Sequence, residues 1–300
     1  MVIIRPATSE DMAAIQRVCE QVLDLEPDAG ELPGILMRRD GYLTLVAESM
    51  GGAGIQGVCF GSLGRVPSQT LGYIDLLAVK REAQGHGIGK RLLTATEDLL
   101  HQQGANVVQL SGNPPVYVWP GVDPRYTVMT CLAERAGYEK LRDSIDMAVD
   151  LNAIDLDTTP AEQRLAAAGI EVRQASADEK RPIDDWLRTG PWRDSGWPDE
   201  VAQSLDRSGC HVAVRDERYI GFACYGANRH GWFGPMGTDP EERRHGIGTV
   251  LLKRCLADMQ SAGLETARIG WVGPVGFYAR VLKARVERVY WFYRKALLYT

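Results

Sequence analysis

Two distant segments of this chain carry nearly the same loop. HGIGKRLL at residue 86 returns as HGIGTVLL at residue 245. A second pair precedes them: VIIRPATSEDMAAI from residue 2 and IEVRQASADEKRPI from residue 170. Each of these reads as a short strand followed by a small polar residue and acids suited to a helix start. Repeated marks in the same order say that the chain is written twice, so each copy must build a similar supersecondary frame. The first pair is offset by 168 positions and the second by 159, which makes the first copy nine residues longer between its marks. That excess is expected in the hairpin around MGGAGIQ, where glycines relieve the backbone.

Each copy then follows one plan. A strand leads into one or two helices and a β-meander: YLTLVAES, GVCFGSLG and LGYIDLLAVK in the first, CHVAVRDE, IGFACYGA and HGWFGPMGT in the second. After the glycine loop comes a helix. Ile88, Leu92, Leu93, Leu99 and Leu100 recur in it at helical spacing, as do Ile247, Leu251, Leu252, Leu256 and Met259 in its counterpart. Another strand, another helix and a final strand complete each copy. The segment DLNAIDLDTTPAEQRLAAAG reads as a linker with a short alanine-rich helix, which sets the domains at 1–150 and 169–300 with 151–168 between them. Two domains suit 300 residues.

Composition removes several function classes. A net charge of −5 argues against a general nucleic-acid binder and does not favour an anionic membrane surface. No apolar run approaches the roughly 20 residues of a membrane span. The start MVIIRPATSED has no basic region leading into an apolar stretch, and the six cysteines are scattered with no C-x-x-C pair. These features predict a cytoplasmic protein with reduced, buried thiols.

A helix N-terminus carries unpaired N–H groups and partial positive charge, and glycine lets a ligand approach that backbone closely. The repeated loop therefore reads as a phosphate cradle, with a plain strand-to-helix turn as the alternative. It is not a Walker loop, because Gly89-Lys90 is followed by Arg91 and Gln84 stands where the first glycine belongs. It is not a dinucleotide fingerprint, because Gly87-Ile88-Gly89 ends in Lys90, Arg91 and Leu92. What remains is Gln84-x-x-Gly87-x-Gly89 and Arg243-x-x-Gly246-x-Gly248, each between a strand with a short acidic turn and a helix.

This pattern resembles the signature of the GCN5-related N-acetyltransferase (GNAT) family, and in two copies the resemblance spans nearly the whole chain. It implies two α/β (α+β) domains, each a mixed, mostly antiparallel twisted sheet flanked by helices, with the fourth and fifth strands splayed into a cleft. It also implies acetyl-CoA. The pyrophosphate would rest on Gln84, Gly85, His86, Gly87, Ile88, Gly89 and Lys90, or on Arg243, Arg244, His245, Gly246, Ile247, Gly248 and Thr249. The pantetheine arm would pair with strand-four backbone at Leu77, Ala78 and Val79, or at Met236, Gly237 and Thr238. His86 and His245 are read as exposed helix-start residues, and Lys90, Arg91 and Arg244 as either phosphate contacts or a solvated basic face.

Acetyl transfer to an amine needs a base, donors for the tetrahedral intermediate and a proton source for the thiolate. The family often supplies the acid as a Tyr on the helix after strand five. Tyr278 in GPVGFYARVLKARVERV stands there, with a packed core ring as the alternative. In the first copy the position falls near Cys131 to Ala133, with no Tyr, and Tyr126 from the preceding loop is a substitute. For the base, Asp75 in GYIDLLAV alternates with Tyr73, Leu77 and Val79, which puts all four on one face. An acid among apolar strand residues is either a raised-pKa base or a satisfied structural group. The second copy has no acid there, and its base would come from Asp194, Asp199 or Glu200. The loop GNPPVYVWPGVDPRYTV is read as either an acceptor-pocket wall or a rigid packing loop, with Trp192 and Trp197 in the same place in copy two.

The resemblance thus implies an N-acetyltransferase for a small-molecule or peptide amine, with one or both copies active. The alternative is a non-catalytic acyl-CoA-binding sensor that keeps the cradle alone. No metal is expected, and monomer and homodimer stay equally open.

Overall fold

The computed structural model describes residues 1–66, 69–243 and 245–297. In chain order the elements are β1 (Val2–Pro6), α1 (Met12–Val22), α2 (Leu32–Leu36), β2 (Leu43–Ser49), β3 (Ile55–Val66), β4 (Gln69–Val79), α3 (Ile88–Gln102), β5 (Val107–Leu110), α4 (Thr127–Arg135) and β6 (Glu139–Asp150). They continue with α5 (Thr159–Ala167), β7 (Ile170–Gln174), α6 (Lys180–Thr189), α7 (Trp197–Arg207), β8 (Gly209–Arg215), β9 (Arg218–Tyr225), β10 (Trp232–Thr238), α8 (Ile247–Ser261), β11 (Thr266–Ile269), α9 (Val275–Leu282) and β12 (Arg285–Ala296). Two compact units result: Met1–Ser144 with the chain from Val289 on, and Ile145–Arg288.

The helices that follow β1 and β7 are entered the same way, each through one 3-10 turn, for the same reason. Thr8 and Asp11 close a capping box at one, Ser176 and Glu179 at the other, so acid and hydroxyl satisfy amides the helix cannot. Each capping acid also takes a guanidinium from the strand before it: Arg5 reaches Asp11 at 2.7 Å and Arg173 reaches Glu179 at 2.6 Å. The repeat read in the sequence is therefore a repeat of electrostatics too.

In the first unit the strands lie in the order β1-β2-β3-β4-β5-β12. All neighbours are antiparallel except β4 and β5. One face buries Ile15, Val18, Leu32, Phe60 and Leu76 under α1 and α2. The other buries Leu92, Leu93, Leu100 and Val108 under α3. The second unit repeats this as β7-β8-β9-β10-β11-β6, again with one parallel pair, β10 and β11. Ile183, Leu187, Trp192 and Phe222 fill one of its faces. Leu251, Leu252, Cys255 and Leu256 of α8 lie in its other core. These are mixed, mostly antiparallel sheets flanked by helices.

Three readings of the sequence change. First, the strand written last in each copy does not close that copy's sheet. Tyr293 to Ala296 of β12 pair with Leu110 to Val107 of β5, while Met147 to Asp150 of β6 pair with Ile269 to Thr266 of β11. What holds β12 in the first unit is tertiary: Tyr293 and Leu297 enter the core beside Leu100 and Leu110. In addition, Lys295 Nζ donates to the buried Glu97 at 2.8 Å, and Tyr138 Oη donates to the same carboxylate at 2.7 Å. Second, 151–168 is not a free linker. Leu151 and Leu165 are buried in the second unit's core, and Arg254 pairs with Glu162 at 2.7 Å. Third, the extra length is not confined to MGGAGIQ. The turn 50–54 is longer than Asp216-Glu217, and β3 and β4 also outrun β9 and β10.

Cys19, Cys59, Cys210, Cys224 and Cys255 are buried thiols, and Cys131 is exposed. No helix among the described residues is long and apolar enough to cross a membrane.

Candidate active site

The site in each unit begins where two parallel strands part. In the first unit β4 pairs with β5 only from Leu71↔Val107 to Tyr73↔Gln109, yet stays paired with β3 as far as Val79. The side of β4 from Ile74 to Val79 that faces away from β3 therefore has no strand partner among the described residues. In the second unit pairing between β10 and β11 covers Trp232↔Arg268 and Phe233↔Ile269, and β10 runs on to Thr238. Each unit thus exposes an unused strand edge, a place where an extended ligand can add backbone hydrogen bonds.

The parting coincides with a bulge. Across β3 and β4 the register steps from Phe60↔Leu76 to Gly61↔Ile74, which leaves Asp75 as the extra residue. Across β9 and β10 it steps from Phe233↔Tyr225 to Met236↔Ala223, with Gly234 and Pro235 inside the step. By the 159-residue offset of the glycine loops, Gly234 stands where Asp75 does. The bulge also overturns the expected alternation. Leu77 and Val79 lie on the α3 side, against the first turn of that helix. Asp75 and Tyr73 lie on the other side, with Ser62 and Asn113.

The glycine loops lead straight from these edges. Gln84 Nε2 donates to Val79 O at 2.9 Å and ties the loop to the strand end. Gly87 and Gly246 take φ of 77° and 85°, in the left-handed region where a Cβ costs roughly 1–2 kcal/mol. Each is the N-cap of its helix. Gln84 N donates to Arg81 O at 3.3 Å, and the next loop amide to find a carbonyl is that of Arg91, which donates to Gly87 O at 3.1 Å. The amides of Gly85 to Lys90 have no acceptor among the described residues. In the second unit Thr249 and Val250 both donate to Gly246 O, at 3.0 and 3.2 Å, and the amides of Gly246 to Gly248 have no acceptor among the described residues. His86, Gly87, Lys90, Arg243, His245 and Gly246 are exposed, while Ile88 and Ile247 are buried and anchor the helix starts. Arg244 lies outside the described residues. Arg91, read as either a phosphate contact or part of a solvated basic face, donates from Nη2 to Val2 O at 3.0 Å.

Gly89 and Gly248 show how closely strand, loop and the next helix converge. A Cβ at Gly89 would meet Leu132 at 3.4 Å and Leu77 and Val79 at 3.7 Å. One at Gly248 would meet Met236 at 3.3 Å, Thr238 at 3.5 Å and Phe277 at 3.9 Å. Leu132 and Phe277 are thereby equivalent, so Tyr278 corresponds to Ala133. The first copy holds a fully buried alanine where the second holds a phenol. Tyr278 packs edge-on to Phe233, with centroids 6.4 Å apart, and burial raises its pKa, so the hydroxyl keeps its proton. Tyr126, the substitute suggested for the first copy, instead accepts the amide of Leu25 at 3.2 Å.

Asp75 is the most perturbed acid of the first cleft. Burial lifts its pKa from 3.8 to about 6, against the pull of the Ser62 hydroxyl and the Arg39 guanidinium. Its Oδ1 is sealed from solvent with no hydrogen-bond partner among the described residues. Arg39, which no sequence pattern marked, donates from Nη2 to the carbonyls of Asn113 and Val116. The proline loop packs on this side: Val116 and Val118 are buried in the core there, and Asn113 Nδ2 donates to Ser62 Oγ at 2.8 Å. In the second unit the same side is aromatic. A Cβ at Gly237 would lie 2.7 Å from the Trp192 ring, so the indole rests on the bare strand backbone. Trp192 stacks on Trp197 at 6.4 Å. Asp199 is paired with Arg188 and Asp194 with Arg193, which leaves them poor candidates for a base.

Comparison with known proteins agrees with this geometry. The model of the acetyltransferase (GNAT) family matches residues 10–117 and 171–281. No curated protein sequence matches the chain. Among solved structures, a GCN5-related glucosamine N-acetyltransferase region of a fungal multi-domain β-N-acetylglucosaminidase superposes with a TM-score of 0.82 at 18% identity, over 98% of this chain and 38% of that one. This chain thus spans well under half of that protein. A tandem GNAT protein from the clavulanic acid biosynthesis pathway gives 0.71 at 15% identity, over all of both chains. A GCN5-related N-acetyltransferase from Sphaerobacter thermophilus gives 0.67 at 19%, over 99% of this chain and 96% of that one. At such identities the likeness is one of fold.

Proposed function

The chain belongs to the GNAT acetyltransferase family, and from that premise we propose that it transfers an acetyl group from acetyl-CoA to the amine of a small molecule or peptide, with the first unit carrying the transfer. The observation that carries this reading is the run of unused amides from Gly85 to Lys90 beside the released edge of β4. Those amides suit a diphosphate and the edge suits an amide-bearing arm. Leu77, Ala78 and Val79 would hold that arm, as Met236, Gly237 and Thr238 would in the second unit. Acetyl-CoA supplies an activated acetyl thioester when bound.

The residues of the chain have distinct work. Asp75 accepts the proton of the attacking ammonium, directly or through water, and its raised pKa places it nearer the working range of a base. The bulge turns strand backbone toward the cleft, where an N–H can meet developing charge on a carbonyl oxygen. Ala133 cannot donate, so the thiolate leaves the first cleft toward solvent. In the second cleft Tyr278 is the acid, but the bulge holds Gly234 and Pro235 in place of a carboxylate, and Trp192 lies on the acceptor side. That pairing favours a second reading for this unit alone: an acyl-CoA-binding module that turns over little.

The test is incubation of the protein with acetyl-CoA, a thiol reagent and a panel of amino sugars, amino acids and peptide amines. Glucosamine belongs in the panel because one structural neighbour is named for it. CoA release with at least one amine is expected. Uptake of coenzyme A without release across the panel leaves the sensor reading, and no uptake by either unit removes both.

A further inference from the structure

The acceptor side of the first unit holds two opposite charges that do not pair with each other. Arg39 is half-buried, and its Nη2 is committed to the carbonyls of Asn113 and Val116. Its Nε and Nη1 have no partner among the described residues. Asp75 faces the same side from the bulge, and its buried Oδ1 is unsatisfied. The two are close enough to act on each other electrostatically, yet no ion pair within 4.0 Å joins them. Asn113 fixes the spacing from both ends: its carbonyl holds Arg39, and its amide holds Ser62, whose hydroxyl lies beside Asp75. Tyr73 closes the same side, with its ring against the backbone of Gly64.

A buried charge kept from its natural partner is costly unless something else completes it. An amine alone would satisfy Asp75 and bring a second cation near Arg39. A molecule with an ammonium at one end and an anion at the other satisfies both. We propose that the acceptor of the first unit is a zwitterion of α-amino-acid size, its ammonium on Asp75 and its carboxylate on Nε or Nη1 of Arg39. The inference rests on the transfer reading above and narrows its substrate class. Arg39 acts here as a specificity residue, since it meets the end of the acceptor that does not react.

The test separates the two claims. α-Amino acids are titrated by calorimetry into the full chain, each against its decarboxylated amine, and coenzyme A is titrated into the same samples. Amino acids are expected to bind on the order of 10–100-fold tighter than the matched amines, the weight of a charged hydrogen bond. Arg39→Gln should erase that preference while coenzyme A uptake is unchanged, and Arg39→Lys should restore part of it. Equal binding of the paired compounds, binding unaffected by Arg39→Gln, or no binding by any amino acid overturns the zwitterion assignment and leaves the transfer reading standing. Loss of coenzyme A uptake in the unaltered chain removes the transfer reading instead.

Discussion

Asp75 carries the sharpest pH prediction. Its folded-state pKa of about 6 lies above the ordinary 3.8, so the native state binds this proton more tightly than the unfolded chain does. Between about pH 4 and 6 the group therefore favours folding at the acid end, and that contribution is lost as pH rises, by at most about 3 kcal/mol. Catalysis runs the other way, because the base works only when ionised. We expect kcat/KM to rise through about pH 6 and Asp75→Asn to lower it on the order of 100-fold or more. The same variant should flatten the pH dependence of urea unfolding over that window. An unmoved acidic limb in the variant would take Asp75 out of the mechanism. Tyr278→Phe should leave coenzyme A uptake intact and lower total turnover less than twofold, measured by thiol release; a larger fall moves the transfer to the second unit. Both residues were visible in the sequence as types at suggestive places. Arg39 was not, because nothing local distinguishes a surface arginine from one folded over a cleft.

The glycine loop and the bulge show what an element discloses about itself. The loop was legible because its needs are local: left-handed backbone at Gly87 and Gly246, a helix behind, an apolar anchor at Ile88 and Ile247. Gly87→Glu and Gly246→Glu each add a carboxylate where a diphosphate is expected and strain a positive φ. Each should cut coenzyme A uptake by its own unit strongly, at a stability cost of about 1 kcal/mol. Gly87→Asn, which tolerates that backbone, should keep most of the affinity, as calorimetry can check. The bulge was not legible. Asp75 reads as one step in a regular alternation until β3 is laid beside it, and only the partner's register makes it the extra residue. The same pairing separates its face from that of Leu77 and Val79.

At the scale of the molecule, the last strand decides what can stand alone. A fragment of residues 1–150, the domain the sequence suggests, lacks β12. It loses the burial of Tyr293 and Leu297, worth roughly 3–6 kcal/mol together. It also leaves Glu97 buried without Lys295. That sum approaches the roughly 5–15 kcal/mol by which a domain is stable. The fragment should show no cooperative thermal transition, whereas residues 145–288 should show one.

By itself the sequence determined the duplication, the helices with their capping acids, the meanders and the two glycine loops at helix starts. Each of these depends on spacing within a few residues, so its physics is written locally. Only the tertiary structure decided which strand closes each sheet, that residues 151–168 belong to a core, that Asp75 leaves its expected face, and that Arg39 stands across from it. Those outcomes depend on pairings between residues far apart in the chain, where many partners satisfy the same local pattern and packing selects one.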